Sequence, residues 1–429
     1  MVDGRDQRRF SVRHIRHTAL AAGGLAIAAA LALTGCGQGF EESSGDPSSD
    51  GLTTSDDPLT VMYAPSSDAE KQSVEKALAA WSETSDVQVT PMVATNLSQE
   101  LSQGFAAASP PDLFYLNPES IAGYAANGSL EPYGDQLSNK DDFYPSLVQN
   151  FTVDGQFYCA PKDFSTLALV INTDLWAAAG LTDADIPTTW DQLDAAARAL
   201  TTDGRAGLTF SAEYQRLGVF MTQAGGVLVS EDGTTAVVDS SENAAGLEYV
   251  KSHLEDGTFA YAADLGAGWA GEAFGKELAA MTIEGNWITG AMSADFPDVG
   301  YQIVPLPAGP AGQGTLQYTN CWGMAAESPN QQAALDLVEY LTSTEQQTAF
   351  SAEFGPMPSI QSAAEQWRSD NPDLVAFLDA SDYAASLPTN VGANEVIADF
   401  NSQLESLGST DPAQILASVQ GNLESVVGG

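Results

Sequence analysis

Leu59 to Glu83 reads "LTVMYAPSSDAEKQSVEKALAAWSE", and two periodicities meet inside it. Leu59–Tyr63 is a short apolar run suited to a strand. Beyond Asp68, the residues Val74, Ala77, Leu78 and Trp81 recur at i, i+3, i+4 and i+7, which predicts an amphipathic helix. Ser66, between the two, reads as turn or capping chemistry. The alternation continues with a strand over Val87–Thr90, a helix over about Leu97–Ala107 with Asn96 as its N-cap, and a strand over Asp112–Leu116. A βαβαβ order implies a parallel sheet with right-handed crossovers.

A second α/β series follows. "LALVI" (Leu167–Ile171) is an unbroken apolar run suited to a buried strand. Thr189-Trp190-Asp191-Gln192 reads as a capping box ahead of a helix striped by Leu193, Ala196, Ala197 and Leu200. Ser328-Pro329-Asn330-Gln331 reads as another helix start, with the proline in the first turn. No repeat of 20 to 50 residues is present. In open parallel sheets ligands bind outside the carboxyl ends of strands. The loops after Tyr63 and Leu116 are therefore candidate sites, and they offer Asp68 and Asn117.

The first 35 residues read as a processing signal. Five arginines precede an apolar run from Thr18 to Leu33, which is short for a bilayer span. Leu33-Thr34-Gly35-Cys36 resembles a bacterial lipobox, in which Cys36 is lipidated and becomes the new N-terminus; the alternative is an ordinary cleavage site beside an incidental cysteine. Residues 36–58 are acidic and serine-rich and are expected to form a disordered tether. The expected location is extracytoplasmic, with the protein lipid-anchored to the outer face of the cytoplasmic membrane.

Charge and histidine content exclude several functions. Beyond residue 35 stand 10 basic against 55 acidic residues, about −45, a balance that repels phosphates and argues against any nucleic-acid partner. Of three histidines only His253 lies beyond the signal, and the stripe Leu247, Val250, Leu254 places it on a helix surface. Ser-His-Asp or Cys-His catalysis and a zinc cluster both lack components. No metal and no cofactor are expected, which leaves carboxylate chemistry or none. The roughly 370 residues after the tether suit two lobes better than one core.

The segments "SQGFAAASPPDLFYLNP", "DGQFYCAPKDFSTLALVINTDLWAAAGL", "TTWDQL", "FGKELAAMTIEGNW", "YQIVPLPAG", "TNCWGMAAESPNQQAALDLVEYL" and "GPMPSI" run in one order along the chain. Together they resemble the extracellular solute-binding proteins of carbohydrate ABC transporters, of the maltose- and oligosaccharide-binding type. The resemblance implies an α/β, two-lobed periplasmic-binding-protein-like fold with interleaved lobes and a hinge of crossing strands. One lobe would take residues 59–163 and 323–380, the other 164–322 and 381–429. It implies no enzymatic activity, a small-molecule carbohydrate as ligand, ABC transporter permease subunits as partners, and a monomer that meets the membrane through its lipid anchor.

Sugar rings need flat apolar faces and forked polar groups, and the resemblance implies candidates for both. Trp287 and Trp322 fall where family members often place a stacking aromatic, with core packing as the alternative; Trp269 sits in a glycine-rich loop that reaches toward the cleft. Trp81, Trp176 and Trp190 fit helix stripes, and Trp367 a helix surface or packing position. Asp163, Asn117, Asp68 and Asn320 are the polar candidates. Asn320-Cys321-Trp322 stands where the family frequently has glycines, so the size of the ligand does not carry over. "GPMPSI" reads rather as a structural turn. Cys159 and Cys321 fall beside the crossing strands, as a disulfide or as two buried thiols. Rival readings keep the fold but bind peptide, polyamine or metal chelate, or replace binding with carboxylate-dependent glycoside hydrolysis.

Overall fold

The computed structural model describes residues 51–230 and 233–427. The basic and apolar leader, Cys36 and the first part of the acidic segment lie outside these residues. A ten-stranded sheet runs through the molecule. Its strands are β1 (Leu59–Tyr63), β2 (Val89–Val93), β3 (Leu113–Leu116), β4 (Ala160–Asn172), β5 (Ala206–Phe210), β6 (Phe259–Tyr261), β7 (Ala279–Gly285), β8 (Tyr301–Val304), β9 (Thr315–Met324) and β10 (Ala384–Ala385). The order is β2-β1-β3-β9-β4-β7-β5-β6, with β8 beside β4 and β10 beside β9.

The βαβαβ unit forms as its pattern requires: β1 is parallel to both β2 and β3. Helix Asp68–Ser85 lies between β1 and β2 and buries Val74, Ala77, Leu78 and Trp81. Asn96 caps the helix Leu97–Ala106 by accepting from the Gln99 N–H at 3.1 Å. The second strand starts two residues later than its apolar pattern suggests. It takes in Pro91, which an edge strand tolerates because one side needs no ladder bonds.

β4 and β9 join the two halves. β4 pairs antiparallel with β9 from Ala160 to Thr166, then with β7 and β8 from Leu167 onward. The early part of β4 has no second strand beside it, so other groups satisfy its backbone. Phe164 exchanges bonds with Met357, Gln347 Nε2 donates to the Lys162 carbonyl, and Ser359 Oγ donates to the Pro161 carbonyl. "GPMPSI" thus forms the second flank of the crossing strand.

Two large apolar cores lie on either side of this crossing. One holds Val61, Phe114, Trp81, Tyr133, Leu337 and Trp322; the other holds Leu169, Leu208, Phe220, Phe259, Phe400 and Leu416. The helices Ala393–Leu404 and Pro412–Glu424 therefore pack on the half built around β5 and β7. Trp176 is buried, and Trp190 stacks on Tyr249 with ring centroids 4.1 Å apart. Trp367 is buried too, in a third cluster under Phe164 and Ala168.

Several local expectations change. Thr53 and Asn330 tie residues 53–57 to the helix Gln331–Leu341, because Thr53 Oγ1 donates to the Ser328 carbonyl and Asn330 Nδ2 to the Asp57 carbonyl. The ordered body therefore reaches into the acidic segment expected to be tether. That same helix starts at Gln331, two residues past Pro329, with Asn330 at its N-cap position and the Ser328 hydroxyl donating to Asp112. At the helix Trp190–Leu200, Thr189 is the cap, but Gln192 reaches Thr188 rather than closing a box. His253 is not a surface residue. It is 3 % exposed, stacked on Phe259 at 4.2 Å and hydrogen-bonded to Thr258 Oγ1. The stripe failed there because the C-terminal turn of its helix folds against β6.

Cys159 and Cys321 form a disulfide, with Cα atoms 5.7 Å apart, that closes 162 residues of chain where β4 meets β9. Replacing both cysteines by alanine is expected to cost about 2–4 kcal/mol, a drop of a few degrees in Tm, read by calorimetry. Burial holds the His253 imidazole below its ordinary range, although Asp194 and Asp256 pull the other way and Arg198 adds to the depression. The unfolded chain then takes up that proton first, so stability is full above the ordinary imidazole range and falls as the pH drops from about 7 toward 5. His253→Gln should flatten that part of the Tm–pH curve relative to the parent protein.

Candidate functional site

A cleft of about 950 Å³ opens where the carboxyl ends of β1 and β3 face β9 and the segment after β7. Ser66, Glu70, Tyr115 and Asn117 line one wall. Asn286 and Trp287 line the other, while Lys162–Ser165 of β4 and Gln317–Asn320 of β9 cross between them. Gly355 and Pro356 close the rim. Gly355 adopts φ 85°, which ends the helix Thr344–Phe354 and turns its carbonyl toward Asn286 Nδ2 at 3.0 Å.

Of the polar candidates, Asp163, Asn117 and Asn320 line this cleft. Asn117 also caps the helix Pro118–Ala126 by accepting from the Ser120 N–H. Asp68 does not line it. It is exposed on the first turn of its helix, and the preceding serines with Glu70 take its place. Ser67 accepts from the Glu70 N–H at 3.1 Å, while Ser66 donates its N–H and its hydroxyl to Glu70 Oε2, both at 2.7 Å.

The tryptophans separate. Trp287 lines the cleft and is 40 % exposed. Its indole N–H donates to Glu284 Oε2 at 2.9 Å, Tyr318 meets the ring edge-on at 5.4 Å, and the Arg216 guanidinium lies 5.5 Å from it. A methyl group at Gly285 would run into the ring, so that glycine lets the indole lie over the strand end. Trp322 is instead 1 % exposed and packs edge-on against Tyr115 at 4.8 Å. Tyr318 and Asn320 reach the cleft lining from β9, whereas Trp322 stands opposite Tyr115 of β3 and packs against its ring, so Trp322 joins the core. Trp269 also stays away from the cleft lining. It precedes the short helix Ala270–Gly275, and its ring folds over Gly271 and packs beside Phe274 and Ile288.

Two buried charge networks, which the sequence reading missed, support these walls. Lys162 lies 3.1 Å from Glu70 Oε1, is bonded to Asp163 Oδ2, and sits 4.6 Å from the centre of the Tyr115 ring; Tyr115 donates to Glu70 Oε1 at 3.0 Å. Burial opposes charge on Glu70, yet Lys162 and Ser66 outweigh it and hold the carboxyl below its ordinary range. Burial likewise opposes charge on Lys162, and Asp163 and Glu70 keep the ammonium above the usual lysine range. Asp163 goes the other way: burial, reinforced by Glu70 and only partly offset by Lys162, pushes its carboxyl up. Opposite, Arg216 reaches Glu284 at 2.7 Å and Glu213 at 3.1 Å, and burial raises Glu284 despite Arg216. A partial signal existed, since Lys162 is one of few cations in the chain and Glu284 is the single charged residue of the strand Ala279–Gly285.

The model of the bacterial extracellular solute-binding protein family matches residues 74–376. A putative binding protein of Brucella abortus is 23 % identical over 350 residues, covering 77 % of this chain and 83 % of that one. The cyclic alpha-maltosyl-1,6-maltose binding protein of Arthrobacter globiformis superposes with a TM-score of 0.77 at 21 % identity, over 86 % of this chain and 99 % of that one. An ABC substrate-binding protein of Listeria monocytogenes, solved in complex with cycloalternan, gives 0.74 at 20 % identity, over 87 % and 99 %. Identities this low speak to the fold, two α/β lobes about a cleft. The match from residue 74 to 376 spans most of the chain, which thus belongs to the bacterial extracellular solute-binding proteins.

Proposed function

We propose that the chain captures a saccharide in this cleft and delivers it, chemically unaltered, to the permease of an ABC importer. The observation that carries the reading is Trp287, a half-exposed indole clamped by Glu284 and Tyr318 so that a flat apolar face meets the cleft. A pyranose buries its C–H face on such a ring, and its hydroxyls need donors and acceptors that bond in pairs. Asn117, Asp163, Asn286 and Asn320 supply those groups. The names of the Arthrobacter and Listeria neighbours, which give cyclic alpha-maltosyl-1,6-maltose and cycloalternan, favour the same class of ligand.

Residues 59–163 with 323–380 form one lobe in this proposal, and 164–322 with 381–429 the other. A sugar that bonds both walls stabilises the closed state over the open one, and closure is what a permease reads. Catalysis has less support, because Glu70 and Glu284 are already committed to Lys162 and Arg216. Residues 1–35 act as a signal, and lipidation at Cys36 holds a monomer at the outer face of the cytoplasmic membrane, which keeps its concentration near the permease high. Among the described residues no helix is long and apolar enough to cross a membrane.

Titration calorimetry against glucose-based oligosaccharides should give saturable binding with no release of products; product formation, or silence across the panel, would overturn the reading. Trp287→Ala should weaken binding about tenfold or more, consistent with loss of one stacking face, and leave Tm nearly unchanged. Trp322→Ala should do the reverse, costing about 3–5 kcal/mol of stability as a buried aromatic truncated in a packed core.

A further inference from the structure

We infer that the cleft sorts saccharides by charge, excluding phosphorylated and carboxylated ones and favouring one that bears a basic nitrogen. This rests on the saccharide reading above. Beyond residue 50 the chain has ten lysines and arginines, and two of them, Lys162 and Arg216, come to the walls of the cleft or directly behind them. Neither is available to a ligand. The Lys162 side chain is 8 % exposed and held by Glu70 and Asp163; Arg216 is 9 % exposed and held by Glu284 and Glu213. Each cation thus faces two carboxylates, and Glu119 adds another to the lining. A phosphate or carboxylate entering here meets a surplus of negative charge at short range, in surroundings where water screens it poorly.

The unmatched polar groups behind the lining give an entering anion no donor. Gln317 lines the cleft at 4 % exposure, and its Nε2 is fixed by Ser146 O at 3.1 Å and Ser386 Oγ at 2.8 Å, which leaves Oε1 without a partner. Glu284 Oε1, behind Trp287, is likewise unpartnered and fully buried. Both are acceptors. The unmatched donors nearby, Arg216 Nε and Trp322 Nε1, are buried as well, the first behind Trp287 and Tyr318 and the second against Tyr115. All of these atoms are buried, so none of them donates to an entering phosphate or carboxylate.

Asp163 is the group that meets the nitrogen. Lys162 engages its Oδ2, no hydrogen bond from the described residues reaches Oδ1, and the side chain is 17 % exposed to the cleft. Trp287 and Phe354 line the same space and offer ring faces that attract a cation. Asp163 is therefore the specificity determinant.

The test uses the full chain beyond Cys36 and sets of matched disaccharides, glucose-based and glucosamine-based, each in an amine, an uncharged and a carboxylate form. Affinities are measured by calorimetry at neutral pH and low salt. Expected is an amine form at least tenfold tighter than its uncharged partner, a carboxylate form at least tenfold weaker, and a spread that narrows in high salt. Asp163→Asn should bring the amine-to-uncharged ratio close to one. A flat charge series among sugars that do bind would overturn the inference and leave the saccharide reading standing. So would an amine preference that survives Asp163→Asn. Binding of spermidine with no sugar response, or no response at all, would overturn the saccharide reading and this inference with it. If Asp163→Asn fails to fold, the salt dependence of the unaltered protein decides: a preference that salt leaves unchanged sinks the charge argument.

Discussion

The antiparallel pairing of β4 with β9 is the constraint on which the molecule depends. These strands are the long ones, 13 and 10 residues, and each serves both cores. Their central residues are also the floor of the cleft, so the element that joins the halves is the one the ligand would touch. That floor is fixed from several sides. Tyr133 accepts from the Ala160 N–H and donates to the Trp322 carbonyl, and the Cys159–Cys321 disulfide closes the same end. Thr166 Oγ1 donates to the Phe377 carbonyl at 2.6 Å, further along β4. A cleft whose floor is this rigid can vary its opening only by changing how the outer walls meet across it.

Burying ions at that floor is costly in isolation, because desolvation rivals the attraction between partners. The arrangement reduces the cost by giving each carboxylate several donors. Glu70 accepts from Lys162, Tyr115 and both donors of Ser66, so its charge is compensated without bulk water. Glu284 does similar work opposite, bonding both Arg216 and the indole of Trp287. The charges thus orient the side chains that face the ligand, so less ordering is left to binding.

What could be read in the sequence follows from the range over which each feature is determined. The helix Asp68–Ser85, the cap at Asn96 and the strand around Leu167–Ile171 rest on local spacing and capping, and they form as the residues dictate. Trp287 lies in a short stretch with its own support, Glu284 and Gly285, and it reaches the cleft. Trp322 misled because it stands opposite Tyr115 of β3, whose ring packs against it, and only the pairing of strands distant in sequence reveals that cover. His253 misled for a similar reason: a helical stripe shows one buried face, but β6 covers a second side of the last turn. Lys162, Arg216, Glu70 and Glu284 come together from four separate elements, so no single window of sequence could expose them as pairs.

The charge networks also bear on what distinguishes this cleft from others built on the same scaffold. A fold shared at about 20 % identity fixes the crossing strands and the two cores, but little of the lining. Selectivity then depends on the few side chains that project from shared positions. Here Asn320 lines the cleft from β9, while Trp322, two residues on, is buried against Tyr115. The floor thus presents an amide beside a buried tryptophan, and Trp287 is the half-exposed indole of the opposite wall. Without a second tryptophan in the lining, a larger share of ligand discrimination falls to polar geometry and to the sign of the surrounding charge.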